Sequence, residues 1–292
     1  MRKTIAAAVA VLALCALALP AAAATGGQPP PGVRFTGNTS LMHFAPVRLP
    51  ATHPPHLAHA RRLPSGQTLT PSSNWTGYAD IACSTCALRF VSTQFTVPSI
   101  NCTVPATSGE PYAGFWDGLD GYADSTVEQT GVAATCSGIT PKYYAWYEMY
   151  PLGPVALSIT GFGPGDAVSV SVYFNATTHH YQLTFDDITQ GAGFVASRPC
   201  PPGSTCGNSS AEVIAEAPHP GGILSLADFG NVFYSGATVT SRNGTQGNLG
   251  NGYLWSSDEI DMTDGNQVLA EPGPLSNLGA TSAFPISWLA RT

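Results

Sequence analysis

From Ser72 onward, apolar residues recur at every second position in short runs broken by Gly, Pro, Asn and Asp. This is the period at which successive side chains of a strand point to opposite faces. Val168, Val170, Val172 and Phe174 alternate with Ser169, Ser171 and Tyr173 after the turn sequence Gly163-Pro164-Gly165-Asp166. Tyr181, Leu183 and Phe185 alternate with Gln182, Thr184 and Asp186. Separated by Thr177-Thr178-His179-His180, the two runs predict an antiparallel hairpin with one buried face. Further strands are predicted at Arg89–Val97, Gly114–Leu119, Val127–Val132, Tyr144–Tyr150, Ala211–Ala217, Gly236–Ser241 and Ile286–Ala290. No stretch of ten or more residues carries a convincing helical repeat, and there is no internal repetition. With 31 glycines and 25 prolines, residues 72–292 predict one all-β domain of sandwich type.

Two N-terminal stretches break this pattern. Arg2 and Lys3 precede an apolar run from Ile5 to Leu19 and then the small residues Ala21 to Ala24, which predicts a signal peptide over 1–24, cleaved after Ala24. The run is shorter than the roughly 20 residues that span a bilayer, so no membrane association is expected once it is removed. Residues 25–71 are rich in proline, with Pro29-Pro30-Pro31-Gly32 and Ala51-Thr52-His53-Pro54-Pro55-His56. This stretch is expected to be extended or disordered on its own, either a solvated linker or a removable propeptide with Arg61-Arg62 as a processing point.

Charge divides the chain at the same place. All 18 acidic residues lie from Asp80 onward, against five basic ones there, a balance of −13. Residues 25–79 hold four arginines and four histidines and no acid. An acidic domain is a poor partner for nucleic acid, whereas its own basic segment is a suitable inhibitory partner. Six cysteines remain beyond the signal: Cys83, Cys86, Cys102, Cys136, Cys200 and Cys206. An even number in an exported chain predicts disulfides, and sequence proximity favours Cys83 with Cys86, Cys102 with Cys136 and Cys200 with Cys206. The Cys83-x-x-Cys86 spacing could also open a zinc site or a redox pair, but no second CxxC or HxxxH partners it. No metal or cofactor is expected.

Familiar hydrolytic machinery is missing. There is no G-x-S-x-G elbow, no H-E-x-x-H and no Asp-Thr-Gly or Asp-Ser-Gly pair, which argues against serine, zinc and aspartic routes. What remains is carboxylates and amides within aromatic strands. In Ser210–Pro218, alternation sends Glu212, Ile214 and Glu216 to one face. In Tyr144–Pro151, Glu148 shares a face with Tyr144, Trp146 and Tyr150, predicting a partly buried carboxyl with a raised pKa. A lone strand Glu is otherwise an ordinary solvent-facing residue.

Taken together these segments resemble the glutamic peptidases, or eqolisins, from about Ser73 to the end. Ser73-Asn-Trp-Thr-Gly-Tyr78 is similar to the family's opening strand, Phe95-Thr-Val-Pro98 to the next, and Ala227-Asp-Phe-Gly230 to a late one. Trp116-Asp-Gly-Leu-Asp-Gly121 resembles W-x-G-I-D-G, Gln129-Thr-Gly131 the Q-[TA]-G motif, and Ala211-Glu-Val-Ile-Ala-Glu216 the A-E-x-I-x-E strand. Tyr144 and Asp117 depart from the family pattern, where an acid and an apolar residue stand. The resemblance implies a concanavalin-like sandwich of two antiparallel sheets, an N-terminal propeptide, acidic working conditions, and Gln129 and Glu216 as catalytic residues. Trp116, Asp120, Trp146, Glu148 and Glu212 would line the groove and orient the pair. Gln129 and Glu216 are expected on adjacent strands, about one water apart in an open groove. The implied protein is a secreted, monomeric endopeptidase acting on protein or peptide substrates. Two other readings stay open: a glycoside hydrolase using Glu148 and Glu216, and a non-catalytic carbohydrate-binding module.

Overall fold

The structure, a computed structural model, describes residues 29–290 apart from 46, 56, 63–67, 84–85, 123 and 219–221. The expected signal peptide, and His56 and His219, lie outside the described residues. Among those described there is no α-helix, and so none long and apolar enough to cross a membrane.

Twenty strands follow one another along the chain. The first are β1 (Val33–Gly37), β2 (Met42–Phe44), β3 (Arg61–Arg62), β4 (Thr68–Ser72), β5 (Trp75–Ile81), β6 (Leu88–Thr96) and β7 (Tyr112–Leu119). Then come β8 (Val127–Ser137), β9 (Thr140–Tyr150), β10 (Val155–Ile159), β11 (Ala167–Asn175), β12 (His180–Asp187) and β13 (Ala192–Pro199). The last are β14 (Ser210–Glu216), β15 (Asn231–Ser241), β16 (Gln246–Asn248), β17 (Ser256–Asp264), β18 (Gln267–Pro272), β19 (Ser276–Leu278) and β20 (Thr281–Trp288). The predicted hairpin is β11 with β12, Val170 opposite Phe185 and Val172 opposite Leu183. Along β11 the burial alternates residue by residue, as a strand covered on one face must.

The ladder is continuous. It runs β10-β9-β8-β7-β14-β5-β17, turns through the β17–β18 pair, and returns as β18-β20-β15-β6-β11-β12-β13. The returning run lies over the first, with β6 and β11 against β7 and β12 against β8. Between them sits the larger core, which includes Phe95, Phe115, Val132, Val172, Leu183, Val213 and Phe284. Nonpolar burial of this kind contributes about 25 cal/mol per Å² and fixes which face of each strand turns inward. The outward face of the first run carries a second, aromatic cluster with Trp75, Tyr112, Trp116, Trp146 and Ile214. All three favoured cysteine pairings are present as disulfides.

The N-terminal segment is extended, and it lies against the body of the molecule. It carries β1 and β2, linked by a 3-10 turn at Thr39–Leu41, and β4, which crosses from residue 68 to 72. β1 pairs with β13, β2 with β10, and β4 runs parallel to β17. These strands borrow hydrogen-bond partners from the body of the molecule, so no local periodicity announces them.

Candidate active site

Four strands lie side by side in the order β14-β7-β8-β9. Alternation turns Glu216, Trp116, Gln129, Trp146 and Glu148 to the aromatic outward face, and all five are buried. Gln129 stands directly opposite Glu148 across the β8–β9 ladder and opposite Gly118 on the other side. A Cβ at Gly118 would come within 3.1 Å of the Gln129 Cβ, tight enough to disturb the glutamine. Gly131 is required more strictly, since a Cβ there would lie 2.1 Å from the Phe115 carbonyl oxygen and 2.7 Å from the Trp116 Cβ.

One expectation is corrected here: Gln129 and Glu216 are not on adjacent strands. β7 lies between β8 and β14, and Glu216 faces Gly114 on it. The site is not an open groove either. Residues 47–55, a strap between β2 and β3, cross the face and bury Leu49 in the aromatic cluster beside Ala45. A cleft of about 610 Å³ stays open beside the strap, lined in part by Leu49, Tyr112, Pro154 and Leu224.

The strap reaches both acids and the glutamine. The Thr52 hydroxyl donates to Glu148 Oε2 and accepts from Gln129 Nε2. Gln129 Nε2 also donates to Glu148 Oε2 at 3.1 Å, and the Thr52 amide donates to the same oxygen at 3.3 Å. One residue on, the His53 amide donates to Glu216 Oε1 at 3.4 Å. The other oxygen of Glu216 accepts from Trp116 Nε1 at 2.9 Å. Asn74 Nδ2 donates to the His53 carbonyl at 3.3 Å, and the His53 ring meets the Tyr150 hydroxyl at 3.1 Å. Trp75 stands edge-on to Trp116, 4.8 Å between centroids, and fixes the indole that holds Glu216.

Burial dominates the electrostatics. It pushes Glu216 up to about 8, opposed by the hydrogen bonds from His53 and Trp116. It raises Glu148 well above the usual carboxylate range, with the Thr52 hydroxyl opposing and neighbouring Glu216 adding to the rise. Beneath the strap, burial thus disfavours the charged form of both carboxyls.

Asp120 and Glu212 lie elsewhere, contrary to the expectation that they orient the pair. Four residues along β14, Glu212 is about 13 Å from Glu216 at 3.2–3.4 Å per residue. It neighbours Ser210, Asp120, Asp124 and Asp80. Asp120, at φ 68°, accepts from the Asn208 and Ser209 amides at 2.9 and 2.6 Å and so anchors that loop. Thr52 and His53 went unnoticed in the sequence because nothing in a proline-rich stretch signals contact with a site. Asn74 lies in the opening motif and Tyr150 on the aromatic face of its strand, with no sequence signal that either meets His53.

Residues 73–274 match the sequence profile of the Peptidase A4 family. Aspergillopepsin-2 of Aspergillus niger is 27% identical over 193 residues, 60% of this chain and 67% of that protein. Among solved structures, scytalido-glutamic peptidase with a transition-state analogue inhibitor superposes with a TM-score of 0.59 at 24% identity, covering 74% of this chain and 98% of that one. SCP-B, an eqolisin in complex with the tripeptide Ala-Ile-His, gives 0.54 at 22% identity over 74% and 98%. Aspergilloglutamic peptidase from Aspergillus niger gives 0.51 at 22% over 61% and 99%. The profile covers more than two thirds of the sequence and the solved structures share its all-β fold, so the chain belongs to the Peptidase A4 family, the eqolisins, and is a glutamic-type hydrolase of peptide bonds.

Proposed function

We propose that the protein is a secreted acid endopeptidase in which Glu216 and Gln129 are the catalytic pair and the N-terminal segment is its own inhibitor. The observation that carries this reading is the meeting of Gln129, Glu148 and Glu216 on the two-residue stretch Thr52-His53. A peptide in the groove would put its leaving nitrogen where the His53 amide now meets Glu216. Ionised, Glu216 takes a proton from water and then returns it to that nitrogen. The Gln129 amide supplies a donor for the tetrahedral oxyanion and an acceptor for the water; its Oε1 has no hydrogen-bond partner among the described residues. Glu148 holds the Gln129 amide in place. The two runs of the ladder would be the two sheets of a concanavalin-like sandwich, and the protein acts as a monomer after export under the signal of residues 1–24.

Latency follows from the same contacts. A Glu216 pushed up to about 8 by burial stays protonated through the acid range and cannot act as a base. Lifting the strap returns water and lowers that pKa toward the ordinary carboxylate value. The test is digestion of a denatured protein at about pH 3–4, near the carboxylate reference values, by the wild type, Gln129→Ala and Glu216→Gln. Each variant should be secreted and folded. Loss of one oxyanion donor should lower turnover about 10²–10³-fold, and Glu216→Gln at least as much. Substantial proteolysis by either folded variant would remove the assignment.

A further inference from the structure

The N-terminal segment makes two kinds of contact. The strap touches titratable groups: Thr52 meets Glu148 and His53 meets Glu216. Residues 31–45 instead join the ladder and its main core. β1 pairs with β13 over five residues, from Val33 opposite Ala196 to Gly37 opposite Ala192. β2 pairs with β10, Met42 opposite Ile159. Val33 and Met42 are buried in the larger core, and Phe35 and Leu41 pack against it.

The backbone bonds continue through the turn between them. Asn38 N donates to the Gly191 carbonyl at 2.7 Å, Thr160 N to the Leu41 carbonyl at 2.9 Å, and Ser197 N to the Gly32 carbonyl at 2.7 Å. The Arg198 guanidinium donates to the Pro31 carbonyl. Among the described contacts of this stretch, the one to a carboxylate is Thr36 on Asp186, at 3.3 Å. The stretch also carries His43, whose Nε2 lies 3.0 Å from the Thr160 hydroxyl, but backbone pairing supplies most of its contacts.

β10 and β13 are the two ends of the ladder. Without β1 and β2 each would show a row of unpaired amides and carbonyls, the eight-residue β13 most of all. A single short segment covers both. We infer that residues 31–45 are a permanent clasp, which stays bound after the strap is cut and makes the activated enzyme a two-chain complex. The occupant of both edges is this chain's own segment, and it lies outside the residues 73–274 that match the family profile. The inference rests on the edges and not on which residues are catalytic.

The test uses full-length protein nicked by trypsin after the exposed Arg48, Arg61 and Arg62, in a Gln129→Ala background so that self-cleavage plays no part. Gel filtration at acid and neutral pH is followed by intact-mass measurement under denaturing conditions. The peptide ending at Arg48 should co-elute with the body in equal amount at both pH values and separate only in denaturant. A body that elutes without it and keeps its thermal midpoint would overturn the inference. Gly37→Val puts a Cβ 2.1 Å from the Gly191 carbonyl oxygen at φ +62° and should release the peptide on nicking. Phe35→Ala, which removes the ring paired with Phe194, should speed its loss and serves if the valine variant does not accumulate. Full retention in a folded variant would equally overturn edge pairing as the cause. If the catalytic reading fails, these outcomes are unchanged.

Discussion

The Thr52 hydroxyl bridges Gln129 and Glu148, the place where a reacting oxygen would be held in the proposed chemistry. Thr52→Val keeps the shape and removes both hydrogen bonds, each contributing about 1 kcal/mol. Inhibition of activated enzyme by a synthetic 47–62 segment should then weaken about tenfold or more; an unchanged inhibition constant would show that the hydroxyl plays no part. Legibility at this scale depended on what surrounds a residue in sequence. Glu148 could be read because it sits in an alternating strand among aromatics, whereas Gln129 and Glu216 were legible through the motifs that resemble the glutamic peptidases. Thr52 could not be read, since its partners are 77 and 96 positions away and it lies in a proline-rich stretch with no periodicity. Asp120 carries a motif of the resemblance, and a motif does not say which neighbours its side chain meets; Glu212 shares the face of Glu216 but lies a further four residues along it.

At the scale of elements, the far end of the strap is held by β3 and β4 beside β17. There Arg61 acts on Glu259 and Asp261. Burial, with help from Glu259 and Glu271 and against the pull of Arg61, pushes Asp261 up to about 6. As pH falls through about 6 the aspartate is neutralised and one of the two negative charges that attract Arg61 is lost, which weakens the hold at this end. Glu216 beneath the strap, pushed up to about 8 by burial, changes charge above this range. Asp261→Asn should therefore leak activity at neutral pH and activate with a shallower pH dependence. Added salt should have a similar effect on the wild type, the screening length being about 8 Å at physiological strength. A pH profile identical to the wild type would place the trigger elsewhere. The strands of the body were largely predictable from their period of two, whereas β1, β2 and β4 were not, since each exists only against a neighbour distant in sequence.

The molecule as a whole buries an unusual number of carboxyls. Burial pushes Asp80 up to about 8, and raises Asp117, Glu128 and Glu212 well above the carboxylate range. A carboxyl whose folded pKa exceeds its unfolded value binds more protons when folded, so its contribution is full below about pH 4 and is lost as pH rises toward the folded value. Thermal stability should accordingly fall between about pH 4 and pH 8. Asp117, buried between the layers near Tyr234, isolates the effect. Asp117→Val should flatten the curve and raise the neutral midpoint, about 2–4 °C per kcal/mol for a domain of this size. Stability that is level or rising over that range would contradict this account. Alternation placed Glu212 and Glu216 on one face, but that both faces of β14 would be covered depended on a segment the sequence had set apart as a linker.

Because the strap is fixed at both ends, by β2 before it and by β3 and β4 after it, its hold on the site is unimolecular. Its effective concentration is about millimolar, as for any short tether, and dilution cannot remove it. A single cut at Arg61-Arg62 frees one end and leaves the other tied, so occupancy declines only in part. A second cut, within the strap itself, turns the remaining contact into an ordinary bimolecular one that dilution ends. On the proposed latency, activation would proceed as a ratchet of two clicks, and the measurement that checks it is a lag that does not shorten as the protein is diluted.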